Sequence, residues 1–447
     1  MNIRINSAVA LFFALNLLIS SFYLDNWFNP NSLSRAMSVY SLVQEGTLQI
    51  DEFHGLTNDK CFVDGHYYSE KAPLPALFMA PFYFSLNKLI DLPDDAETHF
   101  RTILIMSSFL CGSIPFTIAI TLLFATLINS MYISKAFILS TLPFYGSLIF
   151  IFTGTFFSHV FSGVHLLLAY LLLKNSKYFY LAGWLCGIAF LSEFQTAVIP
   201  AIWTILIIYR TKSIKNSLKF VLGILPSVIF ILFFNFYITG SPLTMLYTYV
   251  DEMKPMYGLG LPSLMVVWDL IFSQFRGLLF YIPVFITFAY VLIREKTIEK
   301  SSFYSNYLIV PCLVYFLVFS SYHDWWGGWS YGPRQLIPIA LLLTYEGILY
   351  LSRKKIPTPL LALCLLMGMV MALMAKTTVM YSLPTKFQWP FFEIIITKLN
   401  DGVFNRGNLL TYIFDIRPSI SILMWMLLLI ISFLIMTRFE KRVPVIK

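Results

Sequence analysis

The sequence predicts an all-α polytopic membrane protein, on three observations. Charged residues make up 12% of its 447 positions and hydrophobic ones 58%, whereas a soluble domain carries roughly 25% charged residues. Apolar runs long enough to cross a hydrocarbon core of about 30 Å recur from end to end. The basic residues sit in short turns between those runs. That is a topology signal, and it separates the net charge of +8 from nucleic-acid binding.

In chain order the spacing predicts twelve spans: 7–24, 102–128, 136–153, 157–173, 179–192, 196–209, 220–238, 278–293, 303–321, 335–351, 358–375 and 418–437. The first is read as a retained helix, because Phe22, Tyr23 and Leu24 run straight into Asp25 with no small-residue cleavage site. Five cysteines, Cys61, Cys111, Cys186, Cys312 and Cys364, show no CxxC spacing. No structural disulfide or zinc site is expected.

The segment 74–90 is apolar but short, and prolines Pro73, Pro75 and Pro81 interrupt it. Charge decides its reading. With the N-terminus cytoplasmic and 74–90 lying at the interface, the cytoplasmic turns sum to +14 and the outside to −6. If 74–90 spans with the N-terminus still inside, most basic residues, including Arg353, Lys354 and Lys355, move outside, against the positive-inside rule; with the N-terminus outside the later loops recover, but the 25–74 loop, net −4, falls in the cytoplasm, which charge disfavours. The expectation is therefore a non-spanning, amphipathic juxtamembrane helix. Both termini are then cytoplasmic. The loops 25–101, 239–277, 322–334 and 376–417, with the turns near 154–158 and 193–195, share the extracytoplasmic face.

That face collects the candidate chemistry. Thr47 to Pro75 gathers Asp51, Glu52, His54, Asp59, Lys60, Asp64, His66, Glu70 and Lys71. A carboxylate near the membrane surface can serve as a general base, since desolvation and neighbours tune its pKa. Asp64-Gly65-His66-Tyr67-Tyr68 suggests that the loop is ordered. Lys71, at the start of an apolar segment, suits a lipid phosphate or simply snorkels. His159 and Glu193 stand at span ends, where ionisable groups are functional candidates. His165, deeper in an apolar run, reads as a packed core histidine. Arg276 opens a span and can reach a phosphate bidentately. Tyr322 to Arg334 packs three tryptophans (Trp325, Trp326, Trp329), two tyrosines, a His323-Asp324 pair and Arg334 into thirteen residues. An aromatic belt needs neither the pair nor the arginine. Aromatic faces stack on sugar rings and arginine pairs with phosphate, so this segment reads as a ligand site.

The order of these features resembles the GT-C superfamily of polyprenyl-phosphate-sugar glycosyltransferases: a first span, an acidic loop, Lys71-Ala72-Pro73-Leu74, many spans, Arg276-Gly277-Leu278, then Gly327 to Arg334. It is similar to dolichyl-phosphate-mannose–protein mannosyltransferase-like proteins of bacteria, to lipid A aminoarabinose transferases and to protein O-mannosyltransferases. The resemblance implies a GT-C-like bundle of about twelve transmembrane helices in the bacterial inner membrane, its large first extracytoplasmic loop carrying juxtamembrane helices. It implies a polyprenyl-phosphate-linked sugar donor, a glycan, lipid or protein acceptor, and an inverting transfer with a loop aspartate as base. Relatives commonly place an Asp-Glu pair soon after the first span, whereas this chain reads Asn29-Pro30-Asn31-Ser32-Leu33-Ser34-Arg35. The base then falls to Asp51 first and Asp59 second. Lys71, Arg276 and Arg334 would hold the donor phosphate. His66, Glu70, His159, Glu193, His323, Asp324, Trp325, Trp326 and Trp329 would shape the sugar or acceptor site. With no all-oxygen cluster in the sequence, no metal and no cofactor are expected. The alternative function is a transporter or lipid flippase of the cell envelope. It asks for mid-span charges and matching broken helices, and the sequence offers neither.

Overall fold

A computed structural model describes residues 2–250, 253, 258–295 and 307–440. Lys296, Glu299, Lys300, Lys441, Arg442 and Lys447, which count in the cytoplasmic charge sum, lie outside the described residues, as do parts of the 239–277 loop and of the 303–321 span. The chain is predominantly helical, in keeping with an all-α membrane protein. Among the described residues six helices are long and apolar enough to cross a membrane: Ala96–Leu127, Phe194–Thr211, Ile214–Thr239, Arg334–Ser352, Thr358–Thr378 and Pro418–Glu440. Five shorter apolar helices, among them Ile5–Ser20, His159–Lys174 and Phe179–Ser192, pack with them.

In chain order α1 is Asn2–Ser20, α2 Pro30–Gln44, α3 Leu74–Leu89, α4 Ala96–Leu127, α5 Ile133–Tyr145, α6 Leu148–Phe152, α7 His159–Lys174, α8 Phe179–Ser192, α9 Phe194–Thr211 and α10 Ile214–Thr239. Then come α11 Leu264–Phe272, α12 Val284–Glu295, α13 Ile309–Ser320, α14 Arg334–Ser352, α15 Thr358–Thr378 and α16 Pro418–Glu440.

Two expected spans are broken. The run 136–153 divides at Gly146, and 278–293 divides at Ile282-Pro283. Helix α4 is longer than expected. It starts at Ala96, capped by the Asp95 side chain, and passes through a π-helical stretch, Ser108–Ser113. Its 32 residues reach about 48 Å.

The polar segment after α1 is folded rather than looped. Asn29 caps α2 through the Asn31 amide, and Pro30 takes the first helical position, where it needs no N–H. The strands β1 (Lys60–Val63) and β2 (His66–Ser69) form an antiparallel hairpin, a small β element absent from the all-α expectation. Its Asp64-Gly65 turn has positive φ at both residues, as a two-residue hairpin of this hand requires. Helix α3 forms where the juxtamembrane helix was expected.

Three features fix the bundle. Gly183 and Gly187 on α8 meet Gly223 and Ser227 on α10, and a Cβ at Gly183 would collide with the Phe220 carbonyl. Small residues let two backbones approach closely in this way. The turn at Gly154 packs on Tyr23 at the end of α1, and its amide neighbourhood leaves no room for a Cβ. Lys376 was expected in a loop but is fully buried in α15, because its Nζ donates to the Ile151 and Thr153 carbonyls at 2.8 and 2.5 Å. Those carbonyls close α6 and have no partner within their helix.

Helices α7 and α14 carry different groups at their two ends. His159 and Arg334 begin them, whereas Lys174 near the far end of α7 binds Glu346 in the later part of α14 at 2.6 Å. Arg294 of α12 likewise donates to the Lys355 carbonyl. The basic turns thus gather at one end of the bundle and the acid–base cluster at the other.

Candidate active site

At that other end lies a cavity of about 880 Å³, at the upper end of the range of small-molecule sites. Its wall comes from the α2 start, the residues flanking the hairpin, the α7 and α9 starts, and the segment before α14. Of the residues singled out in the sequence, Asp59, Glu70, Lys71, His159, Glu193, Asp324, Trp329 and Arg334 line it.

Asp59 and Lys71 are set by α2 and the hairpin. The Ser34 hydroxyl lies within hydrogen-bond distance of the Asp59 carbonyl and of Ser69 Oγ, while Thr57, anchored on the Pro30 carbonyl, receives the Asp59 amide. Lys71 Nζ then bridges Asp59 at 2.8 Å and Glu70 at 2.5 Å. Burial raises the Asp59 carboxyl, but Lys71, with Arg334 and Arg35 beyond it, outweighs that and holds it below the ordinary carboxylate range. Lys71 is raised in turn: burial opposes its charge, but Asp59 and Glu70 prevail.

Glu193 forms the second carboxylate centre, in the tight turn between α8 and α9. It accepts a short hydrogen bond from Ser158, lies 3.7 Å from Arg35, and faces His159 Nδ1 at 3.2 Å without hydrogen-bond alignment. Burial raises it, and His159, Arg35 and Ser158 more than offset this, so it too sits low. Arg35 is fixed by Asn31 one turn earlier on α2 and by Ser158 Oγ at 2.8 Å.

Arg334 stacks over Phe157 at 5.0 Å from the ring centroid. Its Nε is buried without a hydrogen-bond partner, as is that of Arg35. A buried guanidinium N–H left unmatched carries a substantial cost. Both arginines line the cavity beside Lys71, and guanidinium groups bind oxyanions in charge-assisted pairs. Asp324 stands on the same wall, raised by burial against the pull of Arg334 and His323.

Other candidates lie elsewhere. Asp51 is on the exposed rim, bound to His66 at 2.7 Å and to the Tyr67 amide, and neither Asp51 nor His66 lines the cavity. Asp51, the first-choice base, thus stands away from the cavity and its bonds organise the hairpin, whereas Asp59, the second choice, lines the cavity. Arg276 is not in the cavity either. It is fully buried, and its nitrogens donate to the Trp326, Phe275 and Gly328 carbonyls at 2.7, 2.9 and 3.0 Å. The expected phosphate contact at Arg276 is replaced by a structural one that pins the glycine turn. Trp325 and Trp326 pack edge-on against each other, Trp325 also against Phe275, and His323 is exposed. Of the three tryptophans, Trp329 faces the cavity.

Several lining residues escaped the sequence reading: Arg35, Asn31, Arg101, Gln195, Tyr247 and Tyr381. Arg35 had a signal, a lone cation among Ser32, Ser34, Ser38 and Ser41 on one short helix. Tyr381 had none. Its hydroxyl donates at 2.8 Å to Asp25, which is fully buried and pushed up to about 6 by that burial, with Trp27, Tyr381 and Lys376 opposing. Among the described residues no group of three or more His, Cys, Asp and Glu side chains gathers at metal-ligand spacing. No protein-family model matches the sequence, and no curated protein matches it.

Proposed function

We propose that this chain is an inverting glycosyltransferase of the GT-C type, drawing its sugar from a polyprenyl-phosphate donor and passing it to a glycan, lipid or protein acceptor. The observation that supports the reading is the cavity that gathers three cations, Lys71, Arg35 and Arg334, beside the carboxylates Asp59 and Glu193. In the same reading the bundle has about twelve spans, α3 lies at the interface, both termini are cytoplasmic, and the cavity opens outside the inner membrane.

The reaction divides among the residues as follows. The donor phosphate binds Arg334 and Arg35 and competes with Asp59 for Lys71. Losing that partner raises the basicity of Asp59 at the moment the donor is in place. Asp59 then takes the proton of the acceptor hydroxyl, and the acceptor oxygen bonds to the anomeric carbon from the opposite face. The bond from that carbon to the phosphate oxygen breaks, and polyprenyl phosphate leaves with the electron pair, its charge held by the two arginines. Trp329, half exposed at the wall, offers a ring face to the sugar.

The test is transfer by the purified chain in lipid nanodiscs, supplied with radiolabelled polyprenyl-phosphate hexoses and pentoses and a crude envelope acceptor fraction. The reading expects Asp59-dependent release of polyprenyl phosphate. Failure to bind polyprenyl phosphate at all, or transfer untouched in Lys71→Met and Arg334→Met, would sink it.

A further inference from the structure

A second cavity, of about 430 Å³, lies between α11 and the chain segment 385–389. Nothing in the transfer chemistry above uses it. Its size falls within the ~300–1,000 Å³ of small-molecule sites. On one side stand Asp269 of α11 and Gln274 just beyond it. On the other stand Lys386, Gln388 and Trp389. Gln274 Oε1 is buried and has no hydrogen-bond partner. Trp389 is 52% exposed. An indole face, two carboxamides and a carboxylate in one hollow is the chemistry that holds a sugar ring: an apolar ring face stacks on the aromatic and the hydroxyls meet fixed donors and acceptors.

The hollow is tied to the first cavity along two routes. Ser382 lines the first and Thr385 the second. Three residues of chain span at most about 10 Å. In addition, Arg276 holds the Phe275 carbonyl, from the floor of the second cavity, and the Gly328 carbonyl, from the wall of the first. On α11, Leu264, Trp268 and Phe272 form an exposed apolar stripe at i, i+4 and i+8. Asp269 stands one position round from Trp268, so the helix can rest that stripe in lipid while its polar side faces the hollow.

We infer that the second cavity is a subsite for a remote sugar unit of a glycan acceptor, which makes the acceptor an oligosaccharide. This rests on the transferase reading. The test presents the whole protein in nanodiscs to neutral and N-acetylated hexose tri- to pentasaccharides on an array, with saturation-transfer NMR on any that are captured. Wild type is expected to capture at least one. Trp389→Ala and Gln274→Ala, checked for unchanged melting temperature, are each expected to weaken capture at least tenfold while polyprenyl-phosphate binding stays intact. If Trp389→Ala fails to fold, Gln388→Ala replaces it. No capture by wild type, or capture unchanged in the variants, overturns the subsite while intact polyprenyl-phosphate binding leaves the transferase standing. Capture lost only in Lys386→Ala, and only when anionic lipid is present, assigns the hollow to a lipid headgroup and also overturns it.

Discussion

Asp51 and Asp59 differ by eight positions and in almost everything else. Asp51 keeps company with a histidine in solvent, and Asp59 is locked to a buried lysine facing a cavity. Transfer should fall by about 10²–10⁴-fold in Asp59→Asn, the usual worth of a general base, and by less than about threefold in Asp51→Asn; initial rates on the labelled donor measure both. The pH dependence follows from the direction of the Asp59 shift. Its folded value lies below its unfolded one, so its stabilisation is complete above the ordinary value of about 4 and fades as pH falls through the lowered value. The melting temperature of the wild type should therefore drop as pH falls below about 4, and that of Asp59→Asn should drop less. In Lys71→Met burial of Asp59 is opposed only by the more distant Arg334 and Arg35, and the acid limb of kcat/KM moves up. The sequence contained enough to collect these groups but not to rank them. Charge density marked the segment Thr47 to Pro75, while burial, which separates Asp59 from Asp51, depends on α2 folding beneath the hairpin. Arg276 misled for the complementary reason. Its place before an apolar run looked like an interface, and its partners are backbone carbonyls that no spacing rule encodes.

At the scale of elements, the long apolar helices were legible because hydrophobic length is a one-dimensional property. Breaks were less so: Gly146 and Ile282-Pro283 interrupt runs that hydropathy alone reads through. Helix α2 was hidden because its composition, rich in serine, resembles a loop until Asn29-Pro30 is read as a cap. Gly183 and Gly187, by contrast, were a readable small-residue stripe that passed unremarked. Replacing Gly183 with leucine must push α8 from α10, since even one carbon meets the Phe220 carbonyl. Thermal unfolding of the detergent-solubilised protein should reveal a loss of at least several degrees. Arg276→Met should also destabilise, on the order of 1–3 kcal/mol, because the part-buried Trp326 and Gly328 carbonyls lose their charged donor while the Phe275 carbonyl keeps the Tyr281 hydroxyl within reach. The fraction that still folds should bind polyprenyl phosphate as tightly as wild type, which separates a brace from a ligand.

For the whole molecule, the charge count predicted two unlike ends, and the structure gathers the basic turns at one and the acid–base cluster at the other. Helices such as α7 and α14 join them, with His159 and Arg334 at the cavity and Lys174 bound to Glu346 away from it. Which compartment each end meets is open to direct measurement. All five cysteines are buried, so single cysteines placed at Lys386 and at Lys355 give clean reporters. An impermeant maleimide should label the first in intact cells and the second only after permeabilisation; the reverse pattern would invert the topology. The long helix α4 adds a last consequence. At about 48 Å it outruns a hydrocarbon layer of about 30 Å by about 18 Å when upright, and Arg101 on its early turns reaches the cavity wall. On the transferase reading that overhang would work like a mooring post, setting how high the cavity floats above the acyl chains. A thicker bilayer would drown the post and steep the chamber mouth in hydrocarbon, and a thinner one would leave it stranded above the headgroups, so turnover should peak at one lipid chain length.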